Sequence, residues 1–133
     1  MQKKIRVKSL KSYEDWERGN LYIKNEFFKH SSYIPRDNLK LVYSGNQVIG
    51  ALSFEKEASD KIFIKELVIN EDLRGRGLGL KTVPKIVKYF KYKGVKEIKL
   101  ICEEKLVSFY NKNNIEMEFD NGFFYSTIIT NNY

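Results

Sequence analysis

The chain is poor in the residues from which most small catalytic and metal centres are built. It holds one cysteine, Cys102, and one histidine, His30, in 133 residues. A lone cysteine excludes an intramolecular disulfide and offers no zinc-ligand spacing. A lone histidine disfavours a His-based metal site and a Ser-His-Asp triad. There are two prolines, and no low-complexity stretch, repeat or shift of composition divides the chain. Residues 1–133 therefore read as a single domain. No apolar run approaches the ~20 residues of a membrane span. The opening MQKKIRVKSLKSYEDWE lacks the apolar stretch of a signal peptide. The expected setting is the cytoplasm, without membrane contact.

What is present suits a folded domain. Hydrophobic residues make up 42% and aromatics 14%, enough to argue against disorder. A chain this long buries roughly two-thirds of its unfolded surface. The net charge of +7 favours anionic ligands in general, although abundant Lys and Asn also read as plain genomic composition.

Patterning gives the elements in order. Ile5 and Val7 alternate with polar neighbours, predicting a strand over Lys3 to Lys8. Ser12 and Asp15 form a Ser-x-x-Asp version of the capping box. Trp16, Leu21, Ile23, Phe27 and Phe28 then make an imperfect helical face, in one long or two short helices, that stops at Tyr33-Ile34-Pro35. Next comes a three-stranded antiparallel meander with turns at Ser44-Gly45-Asn46 and Ala58-Ser59-Asp60. In its middle strand, alternation places Val48, Gly50, Leu52 and Phe54 on one face and Ile49, Ala51 and Ser53 on the other. The third strand is Lys61 to Asn70.

Val83, Ile86, Val87 and Phe90 follow the i, i+3, i+4, i+7 rule of a helix that Gly94 ends. Pro84 lies inside it, removing one N–H and predicting a local bend. A strand over Val95 to Cys102 follows, with Ile98, Leu100 and Cys102 on one face. Strand, helix, strand in this order requires a crossover and a parallel pair. EKLVSFYNKNN reads as a short helix with Leu106, Phe109 and Tyr110 on one side and Asn114 as a left-handed terminator. IEMEF and FFYSTIIT close the chain as a hairpin turning at Asp120-Asn121-Gly122. The order β-α-β-β-β-α-β-α-β-β is that of an α/β domain with a mixed, mostly antiparallel sheet of about seven strands and helices on both faces.

One stretch carries chemistry. Asn70 to Phe90, NEDLRGRGLGLKTVPKIVKYF, places three glycines and two arginines in six residues between a strand and a helix. Glycine is costly within a helix and permissive just before one. Backbone N–H groups at such a helix start face outward at the positive end of the helix dipole, which makes a seat for an anion.

Arg74-Gly75-Arg76-Gly77-Leu78-Gly79 fits the pattern Arg/Gln-x-x-Gly-x-Gly. In its strand-turn-helix context, with Phe109-Tyr110 in SFYNKNNI after the next strand, it resembles the acetyl-CoA signature of the Gcn5-related N-acetyltransferases, the GNAT family. The likeness in element order covers essentially the whole chain. It implies a GNAT-like fold and an acetyl-CoA-dependent N-acetyltransferase. Amides from Arg76 to Leu80 would cup the pyrophosphate of coenzyme A, with Gly75, Gly77 and Gly79 permitting close approach. Arg74, Arg76 and Lys81 would add charge. The edge of Leu67-Val68-Ile69 would pair with the pantetheine amides, and the acetyl group would sit where two parallel strands splay apart.

The family's reaction is direct attack of an amine on the thioester. The resemblance gives Tyr110 the task of donating to the departing thiolate and the Val68 or Ile69 amide that of polarising the carbonyl. Glu66 is the candidate base, if a bulge turns it toward the cleft. Glu103, Glu104, Glu55 and Glu57 are alternatives, and an amine of modest pKa needs no dedicated base. Three positions depart from the family pattern: Glu103 stands where many members have Asn, Asn114 replaces Gly, and Pro84 interrupts the helix. The acceptor is expected to be a primary amine of a small molecule, peptide or protein. Family members often pair, so a homodimer is compatible. Rival readings are a non-catalytic acyl-CoA-binding module of the same fold and, for the arginine-glycine string alone, an RNA-contacting loop. The strand-turn-helix setting argues against nucleic acid. Cys102 reads as a small buried hydrophobe and His30 as a surface residue.

Overall fold

The computed structural model describes residues 4–26, 34–70 and 78–133, with side chains at 4–23, 34–70 and 81–133. The element order is the one the patterning predicts: β1 (Ile5–Ser9), α1 (Tyr13–Glu26), β2 (Leu39–Ser44), β3 (Gln47–Ala58), β4 (Lys61–Ile69), α2 (Leu78–Tyr92), β5 (Glu97–Cys102), α3 (Val107–Lys112), β6 (Glu118–Asp120) and β7 (Phe123–Ile129). They form one seven-stranded sheet in the order β1-β2-β3-β4-β5-β7-β6. Every adjacent pair is antiparallel except β4 and β5, which are parallel.

Turn chemistry sets the register. Gly45 has a φ of 61° at the β2–β3 turn, and Asn121 and Gly122 have φ values of 50° and 88° at the β6–β7 turn. Positive φ in tight hairpin turns is where Gly and Asn pay least. Gly94, φ 89°, ends α2 in a Schellman-type closure in which Val95 N–H donates to Phe90 O at 3.0 Å. Asn114 has a φ of 61°, the left-handed terminator expected of it. Helix α2 runs through Pro84 from Leu78 to Tyr92.

The capping box at α1 departs from the simple form. Asp15 N–H donates to Ser12 Oγ at 3.2 Å, but the Asp15 carboxylate accepts from the amide of Lys11 at 2.9 Å, one residue before the cap. Ile23 is fully buried, Trp16 is half-buried and Leu21 is exposed. The expected continuation through Phe27 and Phe28 lies outside the described residues, as does His30. A buried amide does what the apolar pattern does not predict. Asn20 donates from Nδ2 to Trp16 O at 2.9 Å and accepts on Oδ1 from Ile34 N–H at 2.6 Å, while Trp16 Nε1 donates to Ile34 O at 2.7 Å. These bonds tie α1 to the chain entering β2.

Two apolar clusters lie on opposite faces of the sheet. Beneath α1 are Leu10, Ile23, Leu39, Leu41, Val48, Ala51 and Val68. Beneath α2 are Val83, Ile86, Val87 and Phe90, packed with Ile5, Val42, Ile49, Leu52, Ile64, Ile98, Leu100 and Tyr110 among others. The expected face division of β3 is wrong at its start. Val42 pairs with Gly50 and Tyr43 with Val48, so Ile49 is an extra residue. This bulge sends Val48 to the α1 face and Ile49 to the α2 face, the reverse of simple alternation. Beyond it, Ala51 and Leu52 fall as expected. Gly50 lies hard against β4: a Cβ there would overlap the Val68 carbonyl oxygen.

Candidate active site

The site begins where the parallel pair ends. β4 and β5 pair from Lys61 with Glu97 to Ile64 with Leu100, yet β4 continues to Ile69 and β5 to Cys102. The cause lies in β4. Phe54 pairs with Ile64 and Ser53 with Glu66, so Lys65 is an extra residue. A bulge bends its strand and increases local twist, turning the end of β4 away from β5. Between the splayed ends lies a cleft of about 250 Å³ lined by Phe63, Lys65, Glu66 and Leu67 from β4 and by Ile101, Cys102, Glu103, Leu106 and Tyr110 from the other side, with Phe123 at the rim.

The Lys65 bulge also decides where Glu66 points. Ile62 and Ile64 belong to the α2-face cluster with Leu67 packed against it, whereas Val68 belongs to the α1-face cluster. Parity therefore switches across Lys65, and Glu66 shares its face with Val68 and with Ser53. Glu66 is only 8% exposed, and its Oε1 accepts a hydrogen bond from Ser53 Oγ at 2.6 Å. Of the alternative carboxylates, Glu103 also lines the cleft. Glu55 is exposed and bonds Lys65 Nζ at 2.7 Å. Glu57 and Glu104 are exposed and do not line the cleft.

Tyr110 projects from α3 and is 3% exposed, with Phe109 edge-on at 5.1 Å between ring centroids. Burial, and secondarily the neighbouring Cys102, push its phenol well above the usual tyrosine range. A phenol so placed keeps its proton at neutral pH and is a donor. Burial, with Glu103 second, likewise lifts the Cys102 thiol from 9.0 to about 11. Cys102 is therefore a neutral wall of the cleft rather than a nucleophile.

The backbone of β4 completes the geometry. Asn70 N–H donates to Ile49 O at 2.6 Å, and the Val68 carbonyl lies against Gly50, so residues 68 and 70 direct their polar groups toward β3. By strand alternation, the backbone groups of Leu67 and Ile69 face the opposite edge, toward the splay. Of the two amides the sequence leaves open, it is that of Ile69, not Val68, that faces this side.

Helix α2 opens at Leu78, within the glycine run, with Gly79 as its second residue. The first N–H groups of an α-helix have no intrahelical acceptor; among the described residues these belong to Leu78, Gly79 and Leu80. Its first turn carries no acidic residue, which suits an anion. Arg74, Gly75, Arg76 and Gly77 lie outside the described residues. The sequence reading missed Ser53, Phe63, Lys65, Ile101 and Leu106. For Ser53 the missing signal was the bulge, without which Ser53 and Glu66 fall on opposite faces. Among the described residues no cluster of His, Cys, Asp and Glu could hold a metal ion, and no helix is long and apolar enough to cross a membrane.

A seven-stranded mixed sheet with one splayed parallel pair and helices on both faces defines an acetyltransferase-like α/β fold. The family model described as Acetyltransferase (GNAT) family matches residues 5–114. The chain belongs to that family. An uncharacterized N-acetyltransferase, ycf52, of Gracilaria tenuistipitata var. liui is 32% identical over 73 residues, covering 53% of this chain and 40% of that protein; the match thus spans less than half the length of that relative. The GNAT-family acetyltransferase of Bacillus anthracis superposes with a TM-score of 0.69 at 16% identity, covering 98% of this chain and 99% of the other. The PaiA N-acetyltransferase of Thermoplasma acidophilum, solved in complex with coenzyme A, gives a TM-score of 0.67 at 16% identity, covering 95% and 99%.

Proposed function

We propose that residues 1–133 act as one N-acetyltransferase domain that moves an acetyl group from acetyl-CoA to a primary amine of a small molecule or peptide. The observation that carries this reading is the cleft itself: one splay in the sheet gathers Glu66, Tyr110 and the outward backbone edge of Leu67 and Ile69. The donor set fits the group. A strand edge turned away from β3 suits the pantetheine amides, and a glycine-led helix start without acidic residues suits the pyrophosphate. Arg74, Gly75, Arg76 and Gly77 complete that seat with the amides of Leu78, Gly79 and Leu80.

When bound, acetyl-CoA supplies the activated acyl group and a thiolate leaving group. The chain's residues divide the remaining work. Glu66 takes the proton from the attacking amine, the Ile69 amide donates to the oxygen on which charge develops, and Tyr110 donates its phenolic proton toward the departing sulfur. The high affinity of the buried phenol for its proton means that Tyr110 is ready as a donor and is reprotonated easily after each cycle.

The test is thiol release from acetyl-CoA in the presence of pooled primary amines (phenethylamine, spermidine, glucosamine and a peptide with a free N-terminus). Amine-dependent release is expected. Tight coenzyme A binding without such release would mark a non-catalytic acyl-CoA-binding module instead.

A further inference from the structure

We infer that Ser53 is a positioning residue for the base: its hydroxyl fixes the Glu66 carboxylate in the orientation from which it receives the amine proton. The inference rests on the acetyltransferase reading and extends it to a residue outside the glycine and tyrosine motifs.

Ser53 is 3% exposed and stands directly across from Glu66 on the neighbouring antiparallel strand. A serine hydroxyl has a single hydrogen to donate, and Ser53 commits it to Glu66 Oε1 at 2.6 Å. A bond of that length from a neutral hydroxyl to a carboxylate belongs to the stronger, charge-assisted class. The pairing exists only because of the bulge. With regular alternation after Phe54 and Ile64, the residue opposite Ser53 would be Lys65, and Glu66 would lie on the α2 face. The extra residue brings a carboxylate to the serine instead, while Lys65 is drawn to Glu55 at 2.7 Å.

The surroundings favour positioning over solvation. Ser53 follows buried Ala51 and Leu52 in β3, and a polar group here without a partner would be costly. A glutamate has three side-chain torsions, and an unrestrained one would distribute its oxygens among several rotamers. One oxygen held by Ser53 fixes the plane of the carboxylate at the cleft wall. The proton from the amine goes to Glu66, and Ser53 keeps its own.

The experiment compares kcat and acetyl-CoA KM, with the same amine pool, for Glu66→Gln, Ser53→Ala, Ser53→Thr and the double variant. Glu66→Gln is expected to lower kcat about 100-fold and Ser53→Ala about 10-fold, with acetyl-CoA KM changed by less than about twofold. Ser53→Thr, which keeps the hydroxyl, should recover most of the loss. In the Glu66→Gln background Ser53→Ala should lower kcat no further, because the group it positions is gone. Full independence of the two effects, or wild-type kcat in Ser53→Ala beside an impaired Glu66→Gln, would overturn the positioning role and leave the base in place. Wild-type kcat in Glu66→Gln would overturn the base itself, and absent amine-dependent turnover in the wild type would overturn both. Should Ser53→Ala fail to fold, Ser53→Cys, similar in size with a weak donor, carries the same comparison.

Discussion

The carbonyl of Val68 lies so close to Gly50 that no side chain fits between them. The contact joins β3 to β4 next to the Ile49 bulge and holds the backbone of residues 67–69 with one edge toward the cleft. It also explains why a glycine occupies the middle of an otherwise apolar strand, where glycine is intrinsically unfavourable.

Gly50→Ala should therefore destabilise the fold. Forcing a methyl group into packed backbone costs about 1–3 kcal/mol or more, and the Val68 carbonyl is backbone and yields little. Urea unfolding should show the midpoint falling with the m-value unchanged. A midpoint equal to that of the wild type would mean that the strands separate there without penalty.

Tyr110→Phe removes one oxygen from a buried ring. Turnover should drop by about 10–100-fold, while calorimetry shows coenzyme A affinity nearly unaltered. If affinity and turnover fall together, the tyrosine acts by packing against Phe109 and Cys102 and not by donation.

Gly77→Glu tests the anion seat that the sequence alone defines. A carboxylate and added bulk before the first turn of α2 should abolish coenzyme A binding, since like charges meet where the positive helix end is needed. Retained affinity in the same calorimetric assay would move the phosphate site elsewhere.

The cleft also predicts an alkaline limit to stability. In the unfolded chain Cys102 titrates near its ordinary 9.0; in the folded chain it titrates at about 11. Below pH 9 both states hold the proton and the stabilising effect of burying a neutral thiol is complete. As pH rises from 9 toward 11, the unfolded state loses its proton first, so stability falls. Tyr110 acts in the same direction once pH exceeds 10, its unfolded value. Cys102→Ala should show a shallower decline between pH 9 and 11 in denaturant titrations. Parallel curves for variant and wild type would contradict this.

Much of the architecture is legible in the sequence because its punctuation is strong. Gly45, Gly94, Asn114 and Asn121-Gly122 each sit at a positive φ that few other residues tolerate, and the Val83–Phe90 spacing leaves α2 little alternative. The site is less legible. The family resemblance nominated Tyr110 and Glu66, but the direction of Glu66 depends on Lys65, and a bulged lysine looks no different from one in a regular strand. Ile49 hides in the same way inside a run of apolar residues whose faces are both buried. Asn20 is a third case: a polar residue within an amphipathic pattern reads as solvent-facing until its partners, fourteen residues away at Ile34, are in place. Each concerns a pairing between distant segments, and no local spacing encodes it.

The four-rung seam from Lys61–Glu97 to Ile64–Leu100 divides the sheet into two antiparallel leaves, one from β1 to β4 and the other from β5 to β6. The notch at the end of that seam is a throat walled by both leaves. Whatever fills the throat touches both leaves at once, so occupancy doubles as a staple across the one parallel seam of the sheet.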